Sequence, residues 1–297
     1  MAERTGRRPL KVGLFLPFAR SWAEMRRLAE RAEAVGYDSV WVMDHLILGS
    51  PAQPEPVWEG WSLLAALAAA TRRVELGTLV MCTSFRNPAL LAKMADTVEE
   101  ISGGRLILGL GAGWHEPEYR AFGYPFDHLA SRFEEAFAVI RTLLRTGRID
   151  HVGRYYEARD CVLAPRGPRP QGPPILVGAG RERMLHLTAR YADMWNGNWY
   201  RVPEDATERL AALDRACADV GRDPASLQRT AGIRFDNTTQ GAGGPGGAPT
   251  LDSPAAIADW LRGFAGKGFS HVQVRFNRLD LAAVESLAPA LELLDRG

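Results

Sequence analysis

Two rhythms of apolar and polar positions take turns along this chain. Short apolar runs predict strands, and apolar residues recurring at three and four predict helices. Lys11–Phe18 reads as a first strand. Trp22, Met25, Leu28, Ala29, Ala32 and Val35 then recur at helical spacing, so Ser21–Val35 predicts a helix. Gly36 stands where a helix end favours a left-handed residue. Ser39–His45 is the second strand, the proline-rich stretch Ile47–Val57 a loop, and Trp58–Thr71 the second helix. Val74–Cys82 is the third strand, and Pro88 opens a helix that stops before Gly103 and Gly104. Arg105–Gly109 is the fourth, a buried strand by its run Leu106-Ile107-Leu108.

The alternation then breaks. Trp114–Ala130 reads as an aromatic, proline-containing loop, followed by a helix to Arg145 capped by Ser131, with Glu134 completing a capping box. Gly147–Leu163 predicts a small hairpin or extended insertion, and Pro165–Pro174 carries the chain back. Strands five to eight fall at Ile175–Gly178, Asp193–Asn198, Leu227–Asp236 and His271–Phe276. Their helices fall at Arg181–Ala192, Pro203–Val220, Ser253–Ala265 and Leu279–Leu294, and Gln240–Pro249 is a low-complexity stretch. No break in composition is long enough for a domain linker. Eight strand–helix units in 297 residues predict one α/β domain over residues 1–297, a closed (β/α)8 TIM barrel with insertions after strands four and seven. No GxGxxG follows the first strand, which argues against a dinucleotide-binding doubly wound sheet.

Composition narrows the class. Apolar residues make up 46% of the chain and charged residues 24%, as in an ordinary globule. A net charge of +1 argues against a nucleic-acid surface. Three scattered cysteines, Cys82, Cys161 and Cys217, show neither disulfide nor metal spacing and suit a reducing compartment. The longest all-apolar run, Leu63–Ala70, is far short of the roughly 20 residues of a membrane span. The N-terminal apolar run is too short for a signal-peptide core, so the expectation is a cytoplasmic protein with no membrane partner.

Candidate chemistry gathers at strand ends. After strand four, Gly109, Gly111 and Gly113 alternate and then give way to Trp114, His115 and Glu116. This spacing strips one face of side chains, so a bulky group can approach the backbone there, either a ligand or a second strand. Asp44 and His45 end strand two, where an imidazole can polarise a carbonyl or carry a proton, or where the pair can merely cap a turn. Leu79-Val80-Met81-Cys82-Thr83-Ser84 offers a flat apolar wall edged by hydroxyls, suited to a planar ring or to plain strand core. Gly178-Ala179-Gly180-Arg181-Glu182-Arg183 places glycines and two arginines at a helix start, which fits a phosphate seat or a tight turn. Trp195-Asn196, with Trp199 and Tyr200 beyond, can wall a pocket and offer an amide to a ligand edge, or serve as core. Cys82 has no basic neighbours in sequence to activate it as a nucleophile. His128, His151, His186 and His271 lack ligand spacing, so no metal is expected.

The stretches LKVGLFLPF, GYDSVWVMDH, RVELGTLVMCTSFRNPALLAKMADTVEEISGGRLILGLGAGWHEPEYRAFG and PPILVGAGRERMLHLTARYADMWN together resemble the luciferase-like monooxygenase superfamily. They most resemble its deazaflavin-dependent oxidoreductases, which use coenzyme F420. The resemblance runs from about Leu10 to Asp236. It implies a (β/α)8 barrel with a flavin-type ring in its mouth, backed near Leu79–Val80 by a strand-three bulge with a non-prolyl cis peptide. The family's Asp-His pair falls on Asp44 and His45. Its glycine-rich strand-four end falls on Gly111 and Gly113, with His115 and Glu116 as polar groups, and its phosphate turn on Gly178, Ala179, Gly180, Arg181 and Arg183. Some relatives carry a proton-donating Glu directly after the strand-four glycines, where Trp114 stands here.

The resemblance thus implies hydride transfer between the deazaflavin C5 and a small organic substrate. His45, assisted by His115 or Glu116, would serve the proton. Leu79, Val80, Cys82, Thr83 and Asn196 would join the cofactor set. The alternatives are a monooxygenase using reduced FMN and oxygen, and a barrel that binds cofactor without turnover. A homodimer is expected from the resemblance.

Overall fold

Eight parallel strands hydrogen-bond in a ring in the computed structural model, which describes residues 8–17, 19–50, 52–237 and 252–296. They are β1 (Lys11–Phe15), β2 (Ser39–Val42), β3 (Glu75–Thr78, continued by Met81–Cys82) and β4 (Leu106–Gly111), then β5 (Ile175–Gly178), β6 (Met194–Tyr200), β7 (Gln228–Phe235) and β8 (His271–Phe276). Each strand pairs with its neighbours in sequence, and β1 pairs with β8. The register Leu176↔Gly109 between β5 and β4 closes the cylinder. The (β/α)8 barrel expected from the alternation is therefore present.

The helices α1 (Trp22–Val35), α2 (Gly60–Ala70), α3 (Pro88–Ser102), α4 (Glu116–Phe122), α5 (Leu129–Thr146), α6 (Glu182–Tyr191), α7 (Thr207–Asp219), α8 (Pro254–Gly266), α9 (Leu281–Ser286) and α10 (Ala288–Asp295) follow in order. Side chains cap several of their starts: Ser21 with a full capping box on α1, Glu59 on α2, Asn87 on α3 and Ser253 on α8. No helix among the described residues is long and apolar enough to cross a membrane.

Two apolar shells hold the barrel. The larger lies between strands and helices. The smaller fills the cylinder with Phe15, Trp41, Leu79, Ile107, Leu176 and Met194. Trp41 is fully buried there. Gly13 and Gly77 flank it: a Cβ on Gly13 would lie 2.6 Å from the indole nitrogen, and one on Gly77 2.2 Å from the six-membered ring. Two small neighbours thus make room for one large one in the packed interior. Below it, the Trp41 Nε1–H donates to Ser39 Oγ, which lies 2.7 Å from His271 Nε2.

Several expected boundaries move. Strand two ends at Val42, so Asp44 and His45 leave the ladder. Strand three is interrupted at Leu79–Val80, a non-prolyl cis peptide at the place the resemblance implied. Asn198–Trp199 is a second such bond. The Ile47–Val57 loop contains a tight hairpin, Leu48–Ser50 with Gln53–Glu55. The second helix begins two residues late because Glu59 caps it. The Trp114–Ala130 loop contains α4, which Pro117 opens and Gly123 ends in a left-handed conformation. The helix after it starts at Leu129, so Ser131 sits inside the first turn and caps nothing; its hydroxyl accepts from Arg183 instead. The last helix is divided at Leu287 into α9 and α10. The insertion after strand four is a hairpin, Arg148–Val152 with Glu157–Val162, as its pattern predicts. Phe18 and Gln240–Pro249, the core of the insertion after strand seven, lie outside the described residues.

Candidate active site

The carboxyl ends of the strands surround a cavity of about 500 Å³, within the range of small-ligand pockets. One side of it is built from glycines. A Cβ on Gly111 would lie 2.5 Å from Val80 Cγ2, and one on Gly178 would lie 3.3 Å from Val80 Cγ1. A Cβ on Gly109 would meet the Thr78 carbonyl at 1.9 Å. The face stripped of side chains on β4 is thus occupied first by the chain's own strand-three break, and the missing Cβ atoms seat Val80 in the mouth. Gly113, at φ +81°, leaves room for the Tyr119 hydroxyl, which a Cβ would meet at 1.8 Å. Leu79, Val80, Gly111 and Gly178 line the cavity as one low wall.

Asp44 and His45 take different tasks. Asp44 is buried and accepts both Nη groups of Arg86, at 2.8 and 3.0 Å, and the Cys82 N–H at 2.9 Å. Arg86 also reaches Glu59, the cap of α2. Burial pushes the Asp44 carboxyl up from its ordinary value, and the Arg86 guanidinium opposes that shift. The charges of Asp44 are therefore spent on the protein. It ties the strand-three end to the strand-two end, and only its edge borders the cavity.

His45 keeps a nitrogen in reserve. Its Nδ1 lies 3.0 Å from Oε1 and 3.2 Å from Oε2 of Glu118. The same carboxylate accepts the Leu46 N–H at 2.9 Å and is almost fully buried. With Nδ1–H donated to a carboxylate, Nε2 is the nitrogen left to exchange a proton with a ligand. The exposed Trp114 ring meets that of His45 edge-on at 5.6 Å.

The other expected residues divide. Ala179, Gly180, Arg181, Asn196, Cys82 and Gly113 border the cavity. Arg181 stands at the start of α6 with no side-chain cap on the first turn, so the amide-rich, positive helix end faces the cavity at Gly178–Arg181. Asn196 donates to Thr230 Oγ1 at 2.8 Å and Gln273 Oε1 at 2.9 Å, so its amide nitrogen is spent within the barrel. Burial pushes the Cys82 thiol up to about 12, against a nucleophilic role, and its sulfur lies 2.9 Å from the Tyr119 hydroxyl.

Glu116, Arg183, Thr83 and His115 are not among the lining residues. Glu116 pairs with Arg120 on the exposed side of α4. Arg183 pairs with Glu134 and joins α6 to α5. Thr83 is buried with its hydroxyl toward the Gly111 carbonyl. His115 packs on Trp114, its ring 6.2 Å from that of His45.

Glu118, Arg86 and Arg275 were missed from sequence, whereas Trp199, read there as a possible pocket wall, lines the cavity. The available signal for Glu118 was Pro117 at the head of a short helix. A helix turns Glu116 and Glu118, two residues apart, to different sides.

Residues 10–235 match the sequence model of luciferase-like monooxygenases. A phthiodiolone/phenolphthiodiolone dimycocerosates ketoreductase from Mycobacterium sp. (strain JLS) is 32% identical over 237 residues, 73% of this chain and 62% of the relative. The chain thus spans about three fifths of that relative's length. An F420-dependent secondary alcohol dehydrogenase, solved with an F420–acetone adduct, superposes with a TM-score of 0.80 at 18% identity, covering 97% of this chain and 99% of its own. A riboflavin lyase solved with modified FMN superposes at 0.79 with 14% identity, covering 96% and 91%. At those identities the superpositions speak for the barrel. The sequence match across three quarters of the length speaks for descent, and the chain belongs to the luciferase-like monooxygenase family.

Proposed function

We propose that the barrel mouth binds coenzyme F420 and that the chain is an oxidoreductase. It transfers hydride between the deazaflavin C5 and a small carbonyl, alcohol or unsaturated substrate. The observation that carries this reading is the His45–Glu118 pair beside the wall of Val80 and glycines. It sets one proton-exchanging nitrogen next to a surface flat enough for a fused ring. A ketoreductase relative and an F420-dependent alcohol dehydrogenase of the same fold support a carbonyl or alcohol substrate.

The residues present fit the group. Val80 fills the space left by Gly111 and Gly178 and offers a low apolar surface to back a ring. Gly178–Arg181, at the uncapped head of α6, offers amides and one guanidinium to a phosphate. When bound, the deazaflavin supplies two electrons as hydride at C5. His45 holds the substrate oxygen through Nε2 and gives or takes the proton that accompanies the hydride. Glu118 fixes the imidazole tautomer and stabilises its protonated form. Glu118 thus takes the place that the sequence suggested for Glu116. Trp114 and Trp199 exclude water from the two sides of the mouth.

Fluorescence titration of the purified protein with F420 and with FMN tests the reading, followed by turnover on secondary alcohols and ketones. F420 binding with turnover is expected. Tight FMN binding without deazaflavin binding would replace the reading by a monooxygenase using reduced FMN and oxygen. Binding without turnover across the panel would leave a non-catalytic barrel.

A further inference from the structure

The helices α5 and α6 pack side by side and leave a groove of about 690 Å³ between them, within the range of small-ligand sites. It shares no lining residue with the strand-end cavity. At its head, Glu134 accepts from Arg183 Nε at 2.7 Å and from Nη2 at 2.5 Å, so each charge is answered by the other. His186 is likewise held at both ring nitrogens, by the Glu182 carbonyl and by Asp219, each at 2.9 Å. Phe137, Ala138 and Leu187 supply the apolar lining.

The foot of the groove is different. Arg141 and Arg190 stand seven residues beyond Glu134 and Arg183, which is about 10 Å along each helix at 1.5 Å per residue. Their Cζ atoms lie 5.5 and 5.9 Å from the centre of the Tyr191 ring. Among the described residues neither guanidinium pairs with a carboxylate, and the buried Arg141 Nε has no hydrogen-bond partner. Glu134 is the one carboxylate among the described lining residues, and it belongs to Arg183 at the other end. Arg190 lies in the last turn of α6, whose dipole answers part of its charge. Arg141 is more than a turn from the end of α5 and has no such compensation.

We infer that this groove binds a small organic monoacid. Arg141 and Arg190 hold its carboxylate, and an aryl or short alkyl body lies along Phe137, Ala138 and Leu187. A guanidinium packed over a ring still has N–H donors to offer a carboxylate, and it is already ordered before the ligand arrives. The distance to the Glu134–Arg183 pair limits the body to a ring with a few carbons. That neutralised pair offers no seat for a second anionic group. The site does not depend on the proposed redox reaction, and no cofactor is needed to measure it.

Saturation-transfer NMR on the purified chain compares 4-phenylbutyrate with its neutral amide, 4-phenylbutyramide. The acid is expected to bind about ten-fold more tightly at low salt, which is about 1.4 kcal/mol. The preference is expected to fall below about two-fold in the double variant R141Q/R190Q and to be intermediate in R141K, which keeps the charge without the fork. R141K reads the same preference where the double variant folds poorly. Ala138→Trp places an indole in the groove from the exposed side of α5 and is expected to abolish binding of both probes. No binding by the wild type, equal binding of acid and amide, or a preference that survives R141Q/R190Q overturns the inference. Undiminished binding in A138W puts the probe elsewhere, the strand-end cavity included, and also overturns it.

Discussion

His45 Nδ1 and Glu118 Oε1 lie 3.0 Å apart across 73 residues of chain, and the carboxylate also holds the backbone of Leu46. One buried group therefore sets both the ring's tautomer and the path of the chain behind it. In Glu118→Gln the amide can still accept the Leu46 N–H, but it loses the charge that stabilises the protonated imidazole. Turnover is expected to fall on the order of 10- to 100-fold with cofactor affinity almost unchanged. Glu116→Gln, two residues away, is expected to leave turnover unchanged, because its pair with Arg120 is solvent-exposed and worth under about 1 kcal/mol. Steady-state kinetics of the two variants side by side checks this; equal losses would remove Glu118 from its assigned role.

Arg86 neutralises a carboxylate that has no water to turn to. Its two bonds to Asp44, and its third to Glu59, join the ends of β2 and β3 to the head of α2. Arg86→Gln leaves Asp44 buried with only the Cys82 N–H, and a loss of about 3–5 kcal/mol is expected. Urea unfolding measures it. Adding Asp44→Asn should recover part of the loss, since the uncompensated charge is then gone. A single variant as stable as the wild type would contradict this account.

Gly111 is small because Val80 is next to it. Gly111→Ala puts a methyl 2.5 Å from Val80 Cγ2, so Val80 must shift into the mouth. Overpacking of this kind typically costs about 1–3 kcal/mol, and weaker F420 binding is expected with it. Combining G111A with Val80→Ala should restore affinity toward that of V80A alone. Gly266→Ala is the control, since nothing lies within 4 Å of its added Cβ. It is expected to be neutral or slightly stabilising. The outcome to watch is whether G111A and G266A differ; if they behave alike, the close approach is unimportant.

His271 gives the barrel floor a pH dependence. Burial pushes its imidazole down from 6.5 to about 3, consistent with a neutral ring accepting from the Ser39 hydroxyl. Between those two values the unfolded chain binds the proton and the folded chain does not. This group's contribution is therefore complete above pH 6.5 and is lost as pH falls toward 3. The slope is about 1.4 kcal/mol per pH unit, so roughly 2–3 kcal/mol disappears over the first two units. Urea unfolding at several pH values, in the wild type and in His271→Gln, separates this contribution from the carboxylates. The variant should show a shallower decline, and parallel curves would refute the assignment.

Local chemistry wrote much of this protein in one dimension. The alternation of short apolar runs with segments such as Trp22–Val35 determined the barrel and its strand order, because strand and helix periods and caps like Ser21 act over a few residues. The resemblance carried by the strand-two, strand-three and strand-five ends pointed to the rim that encloses the cavity of the candidate site, and to the Leu79–Val80 break. Which side chain faces inward at that rim was decided elsewhere. Asp44 and His45 are neighbours, yet one is consumed by Arg86 and the other is held ready by Glu118, each partner being far along the chain. Glu116 and Glu118 differ only by a short helix hidden in what reads as a loop, and Arg181 and Arg183 by the turn of α6. Gly109 and Gly111 of β4, and Gly113 just beyond it, make sense only beside Thr78, Val80 and Tyr119. Period and capping depend on bonds spanning three or four residues. Burial, ion pairing and the direction of a rim side chain depend on neighbours brought close by closure of the ring, and those contacts exist only in three dimensions.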